Sequence, residues 1–96
     1  MKYFDWNPEK SLLLKKLRGI CFEDILFHIA RGDLVADYQH PNQEKYGGQR
    51  IMVVRVNNYA YLVPYVENED EIFLKTIIPS RKATERYLGD SLLRLN

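Results

Sequence analysis

The chain has 96 residues, 46% hydrophobic and 28% charged, with a formal net charge of +1. This composition is typical of one globular domain over residues 1–96, and it excludes disorder, collagen and coiled coil as the main description. No apolar run reaches the roughly 18 residues of a membrane-spanning helix, and the first ten residues lack the apolar segment of a secretory signal. The single cysteine, Cys21, excludes an internal disulfide and a cysteine-rich metal site. We therefore expect a cytoplasmic protein.

The first third of the chain predicts a short strand followed by two helices. Residues 2–6 favour the strand, and Asn7 followed by Pro8 is typical of a helix start. Gly19 suits the end of that helix, because a left-handed residue is favoured there. A second helix is predicted over residues 22–31. Spacing of i, i+4 and i+7 predicts that the first helix buries one stripe, made of Leu13, Leu17 and Ile20.

The rest of the chain predicts mainly strands. They are expected at residues 34–38, 50–56, 59–66 and 71–78, with a loop at 39–49 and a tight turn at Asn57 and Asn58. Ser80 is a good cap for a last helix, whose apolar face would be Leu88, Leu92 and Leu95. We predict an α+β fold, in which a small antiparallel meander is packed on one side by the N-terminal helices and the C-terminal helix.

Several kinds of chemistry lack the residues they need. The chain has no phosphate-binding glycine loop of either common type. His28 and His40 are the only histidines and have no metal-ligand spacing, so we expect neither a metal nor a cofactor. His28 follows Asp24 by one helical turn, which predicts an ion pair between them.

Basic and phenolic residues on the sheet and the last helix suit metal-free phosphodiester chemistry. Arginine binds phosphate at two points, aromatic rings stack on unpaired bases, and a tuned side chain can move the proton of a ribose 2′-OH. Strand alternation predicts that one open face carries Arg55, Tyr61 or Tyr65, and Lys75. An ordinary surface of strand tyrosines and exposed lysines is the alternative interpretation. The start of the last helix adds Arg81, Lys82 and Arg86.

Three segments resemble those of BrnT-type toxins, the toxin halves of type II toxin–antitoxin pairs. F-D-W-N-P-E-K at residues 4–10 resembles the family's F-x-W-D-P-x-K, and G-I-C-F-E-D at residues 19–24 resembles H-G-V-S-F-E-E. I-I-P-S-R-K-A-T-E-R-Y at residues 77–87 resembles I-I-S-A-R-K-A-T-x-x-E-R-x-x-Y. The family's histidine before the glycine is Arg18 here, so no role of that histidine carries over.

The resemblance implies a RelE-like fold and metal-independent cleavage of RNA, free or on the ribosome, through the 2′-OH. It also implies a cognate antitoxin as the protein partner, with which the toxin can form an oligomeric complex. On this basis the predicted catalytic residues are Arg81 and Lys75, which would bind phosphate, and Tyr65 and Glu85, which would transfer protons. The predicted RNA-binding residues are Arg50, Arg55, Lys82 and Arg86.

A non-catalytic binding module of the same fold is the alternative function. Residues 89–93 are less basic than the corresponding stretch of the family, and the turn at residues 67–71 is acidic and would repel RNA. Such a module would only hold an antitoxin-like or other protein partner. A metal-dependent hydrolase is disfavoured by the shortage of ligands.

Overall fold

The computed structural model describes the backbone of residues 2–94 and the side chains of residues 2–89. The protein is α+β. No described helix is both long and apolar enough to cross a membrane. In chain order the elements are β1 (Tyr3–Asp5), α1 (Pro8–Arg18), α2 (Phe22–Ala30), β2 (Leu34–Gln39), β3 (Arg50–Val56), β4 (Tyr59–Glu67), β5 (Glu71–Leu74), β6 (Ile78–Pro79) and α3 (Arg81–Arg94).

The strands form one sheet in the order β1-β5-β4-β3-β2, and β6 pairs with β4. The strands from β2 to β5 form the predicted antiparallel meander. The prediction of a purely antiparallel sheet was wrong at β1, which runs parallel to β5 with Tyr3 opposite Glu71. A parallel neighbour needs a long crossover, and the chain between these two strands, which includes α1 and α2, provides it.

Local turn and cap signals are confirmed. The Asn7 side chain accepts the first free N–H groups of α1 at 2.9 and 3.2 Å, and Gly19 ends the helix with φ of 74°. Asn57 and Asn58 turn the β3–β4 hairpin with φ of 52° and 65°. Asparagine tolerates these left-handed angles, and two such residues in succession match the twist of a tight hairpin.

The predicted strand 71–78 is interrupted in the structure. β5 ends at Leu74 and pairing resumes only at Ile78, so the strand splits into two short pieces. The Pro64 carbonyl of β4 accepts the N–H of Lys75 at 2.8 Å, but proline offers no N–H on the same side. The interruption changes the alternation of inward-facing and outward-facing side chains, so that Ile77 is buried and Ile78 is 40% exposed.

The predicted buried stripe of α1 was wrong for two of its three residues. Ile20 is buried, but Leu13 and Leu17 are 49% and 71% exposed. The helix instead turns Ser11 and Leu14 inward. The Ser11 hydroxyl accepts the first N–H of α2 at 3.1 Å. This bond favours the rotation of α1 in which the side that carries Ser11 faces the interior.

Helices cover both faces of the sheet, so the prediction that they gather on one side was wrong. The first two helices pack on one face, where the most deeply buried side chains are Phe22, Ile25, Val54, Val63, Leu74 and Ile77. The third helix packs on the opposite face, over a smaller cluster made of Val53, Ala60, Ala83 and Leu88. Leu88 is buried as predicted, whereas the Leu92 side chain and Leu95 lie outside the described part of the chain.

Candidate nucleic-acid interface

Two hydroxyls fix the first turn of α3 against β4. The Ser80 hydroxyl accepts the N–H of Ala83 at 3.1 Å, as expected of a helix cap. Thr84 is buried, and its hydroxyl accepts the N–H of Ala60 at 2.8 Å while donating to the Ser80 carbonyl at 2.8 Å. These contacts hold the start of the helix at one position over the sheet.

A groove of about 490 Å³ lies between the start of α3 and the sheet. Its floor is apolar, and its walls carry two cationic and two phenolic side chains. We call it the α3 groove, and its lining residues are Tyr38, Pro41, Leu62, Ser80, Lys82, Ala83, Arg86 and Tyr87.

The charge of the α3 groove is positive, since none of its described lining residues is acidic. The guanidinium carbon of Arg86 lies 5.7 Å from the centre of the Tyr87 ring, within the range of a cation–π contact. Burial raises the pKa of Tyr38, and the nearby Tyr87 adds to this effect while Arg86 opposes it. Tyr38 is therefore a neutral phenol at physiological pH. A site with cations beside aromatic rings can bind a phosphate through the cations and stack a base on the rings.

The structure brings only two of the predicted site residues into this groove, Lys82 and Arg86. Arg81 and Glu85 lie on the same helix, each one position earlier, and are exposed outside the lining. An ion pair between Arg81 and Glu85 is absent from the contacts within the described residues.

Arg50 and Tyr65 contact each other on the opposite face of the sheet. The Tyr65 hydroxyl lies 2.8 Å from each carboxylate oxygen of Asp37, and Arg50 Nε lies 3.2 Å from the Tyr65 oxygen. Burial, reinforced by the hydrogen bond to Asp37, raises the pKa of Tyr65 to about 12. Only 3% of Tyr65 is exposed. Its hydroxyl therefore supports the sheet and is poorly placed to exchange a proton with RNA.

Arg55 is bound to a nearly buried carboxylate. Its guanidinium donates twice to Asp33 Oδ1, at 2.9 and 3.2 Å, and His28 Nδ1 lies 2.9 Å from Asp33 Oδ2. The predicted pair of His28 with Asp24 was therefore wrong. Asp24, in the first turn of α2, instead accepts the Lys15 ammonium at 2.9 Å. The hydrogen bond from His28, followed by that from Arg55, holds the pKa of Asp33 below its usual range.

Lys75 and Tyr61 also lie away from the α3 groove. Lys75 is exposed, with its ammonium 5.7 Å from the centre of the Phe73 ring. Tyr61 packs against the core under α1 and α2, where its ring meets that of Tyr59 edge-on at 5.7 Å. The predicted convergence of strand and helix residues on one open face is therefore only partial.

Sequence reasoning missed both tyrosines of the α3 groove. Tyr87 lies within the segment that resembles the toxin family, and it follows Arg86 directly, so its position on the helix was a usable signal. Tyr38 gave no such signal. A register shift between Leu34 and Ala36 changes the alternation of β2, and the face taken by Tyr38 depends on that shift.

Comparisons of the chain with protein-family models, with curated proteins and with solved structures find no match. The resemblance to BrnT-type toxins therefore rests on the three sequence segments, of which the last forms much of the α3 groove.

Proposed function

We propose that the protein is a toxin of the BrnT type with a RelE-like fold, and that the α3 groove binds an unpaired nucleotide of its RNA substrate. The observation that supports this proposal is the placement of Lys82 and Arg86 beside the rings of Tyr38 and Tyr87. Two of these four residues were predicted to bind RNA from the sequence alone. In this proposal a cognate antitoxin holds the toxin inactive.

Each part of the groove has a role in binding. Lys82 and Arg86 contact the phosphate, and Arg86 can do so at two points. Tyr38 and Tyr87 supply ring surface for the base, and such stacking tolerates any sequence. The volume of about 490 Å³ lies within the roughly 300–1,000 Å³ of small-molecule sites.

Cleavage proceeds without a metal, through the ribose of the substrate. A base takes the proton of the 2′-OH, the 2′-oxygen attacks phosphorus, and the bond from phosphorus to the 5′-oxygen breaks. The 5′-oxygen leaves with a proton taken from water, which yields a 2′,3′-cyclic phosphate and a 5′-OH. Glu85 is the proposed base, and Arg81 stabilises the charge on phosphorus, because both are exposed on α3 beside the groove cations. Tyr65 is left out of this mechanism because its hydroxyl is buried and bound to Asp37.

The binding step is tested by anisotropy with a labelled single-stranded RNA of about ten nucleotides. We expect Lys82→Ala and Arg86→Ala each to weaken binding about tenfold and to lower the salt slope by about one. The matched control is Lys16→Ala, an exposed lysine on α1 at the opposite face of the sheet. Equal affinity of the groove variants and the control would contradict the proposal.

The cleavage step is tested separately, on end-labelled RNA in the presence of a chelator. We expect cyclic-phosphate products from the native protein, and their loss in Glu85→Gln with RNA binding retained. Products whose yield is unchanged in Glu85→Gln would reject Glu85 as the base and leave the binding step intact.

A non-catalytic binding module is the second candidate function. The observation that favours it is the separation of the predicted catalytic residues, since Tyr65 and Lys75 lie apart from Arg81 and Glu85. Arg81→Ala discriminates between the two. Loss of growth inhibition with partner binding retained favours the ribonuclease, whereas unchanged growth inhibition favours the module.

A further inference from the structure

Helix α1 turns three leucines toward solvent. Leu12 is 71% exposed, Leu13 49% and Leu17 71%. Single exposed leucines are ordinary on a protein surface, but three within six consecutive residues of one helix form a patch. We call these three residues the α1 leucine face.

The fold gives no reason for leucine at these positions. The helix packs on the rest of the protein through Ser11 and Leu14, together with Ile20 two residues past its end. A hollow of about 500 Å³ beside Leu12 and Leu13 stays open to solvent, bordered also by Glu9, Lys15 and Lys16. Leucine side chains that border an open hollow gain free energy when an apolar partner fills it.

The charge around the α1 leucine face is positive. Along the helix Glu9 is the only acidic residue, against four basic ones. Lys16 is exposed among the leucines, at a helical position between those of Leu12 and Leu13. A partner that covers this face without burying uncompensated charge has to carry carboxylates beside its apolar side chains. The basic residues of the helix are Lys10, Lys15, Lys16 and Arg18, of which Lys15 is already paired with Asp24 of α2.

We infer that the α1 leucine face binds an acidic amphipathic helix of another protein. Leu13 and Leu17 are four residues apart, and a ridge of this spacing packs into the groove between the ridges of a second helix. Leucines of the partner would fill the hollow beside Leu12, and glutamates flanking them would pair with Lys16. The inference does not depend on RNA binding, because α1 and α3 lie on opposite faces of the sheet.

The same observations disfavour other occupants. A second copy of the chain would bring two positively charged α1 helices together, and their repulsion opposes such a dimer. A bilayer would gain little, because Glu9 and Lys16 interrupt the apolar face and α1 carries no aromatic anchor. The lack of aromatic rings on α1 also leaves no stacking surface for RNA bases.

The test uses a labelled synthetic peptide of about 18 residues, long enough to form a helix in water, with leucines at helical spacing and glutamates at most other positions. Its binding to the full chain is followed by anisotropy. We expect saturable binding that the double variant Leu13→Ser, Leu17→Ser weakens at least tenfold. Lys16→Glu should weaken it as well, more strongly at low salt. A peptide with lysine in place of glutamate should bind at least tenfold more weakly.

The matched control is Phe27→Ser, which removes an equally exposed apolar side chain, 63% accessible, from α2. It should leave peptide binding unchanged. All variants lie at exposed positions, so circular dichroism and thermal unfolding should match those of the native chain.

Three results would overturn the inference. The first is an acidic peptide that does not bind, or whose binding ignores both leucine replacements. The second is a concentration-dependent dimer in sedimentation that the leucine variant abolishes, since the face would then be a self-interface. The third is binding to vesicles of anionic phospholipid that depends on the same leucines.

Discussion

Replacing Thr84 with valine isolates the contact that fixes α3 to the sheet. Valine has nearly the same shape but cannot accept the N–H of Ala60 or donate to the Ser80 carbonyl. The Ser80 carbonyl keeps a partner, because the backbone N–H of residue 84 donates to it at 3.0 Å. Only the Ala60 N–H is left without a partner, in a residue that is fully buried.

An unsatisfied buried donor costs about 1–3 kcal/mol, so we expect Thr84→Val to lower the free energy of unfolding by about 2 kcal/mol. For a chain of this size that corresponds to a fall in Tm of roughly 8–16 °C. Urea unfolding followed by circular dichroism measures the change. Thr84→Ser keeps the hydroxyl and should lose about 1 kcal/mol or less. Unfolding of the valine variant within about 0.5 kcal/mol of the native chain would refute the anchoring role of the hydroxyl.

Three further changes test other contacts. Tyr65→Phe should cost about 1 kcal/mol, measured by urea unfolding, because it removes a hydrogen bond to a half-exposed carboxylate. The raised pKa of Tyr65 means that its stabilising contribution is present below pH 10 and lost as the pH rises toward about 12. An absorbance titration should therefore show one tyrosine that ionises at unusually high pH, and Tyr65→Phe should remove it. The lowered pKa of Asp33 has the opposite consequence: its contribution is present above the unfolded value of 3.8 and lost as the pH falls through the folded value. Asp33→Asn should therefore flatten the acid limb of a stability–pH curve, and an unchanged limb would count against the contacts to His28 and Arg55. Asn58→Gly places the preferred residue at φ of 65° in the hairpin turn and should raise the unfolding free energy by about 0.5 kcal/mol, visible as a higher Tm.

Local rules predicted the parts of the fold that depend on neighbouring residues. Asn7 caps α1, Gly19 ends it and Asn57 with Asn58 turns the hairpin, because each signal acts within a few residues. The break after Leu74 could not be predicted in the same way. It depends on Pro64 lying opposite, and the register between β4 and β5 is a tertiary property.

The rotation of α1 about its axis also depends on tertiary contacts that local sequence patterns do not predict. Leu13 and Leu17 form a stripe with the spacing of a buried face, yet Ser11 and Leu14 face inward. Hydrophobic spacing identifies an apolar face but does not say whether this chain or a partner covers it. An apolar stripe that the fold leaves exposed therefore indicates a surface that a partner covers.

The candidate site was predictable only where its residues share one helix. Lys82 and Arg86 are one turn apart, so their common side followed from helical geometry. Tyr65 was expected near them because only one open sheet face was foreseen. Once helices cover both faces, strand residues on one side cannot meet helix residues on the other, and the cationic and phenolic groups divide between the two sides.

This division constrains how a protein partner could block the proposed RNA binding. The sheet separates the α1 leucine face from the α3 groove, so a helix docked on Leu13 and Leu17 leaves Lys82 and Arg86 accessible. Blocking the groove requires a second segment that reaches the other face. Such a segment would have to be acidic as well, since it must compensate the charge of the groove cations once it excludes water from them. An inhibitor of this protein is therefore expected to be a two-part ligand, whose helix supplies affinity and whose extension competes with phosphate.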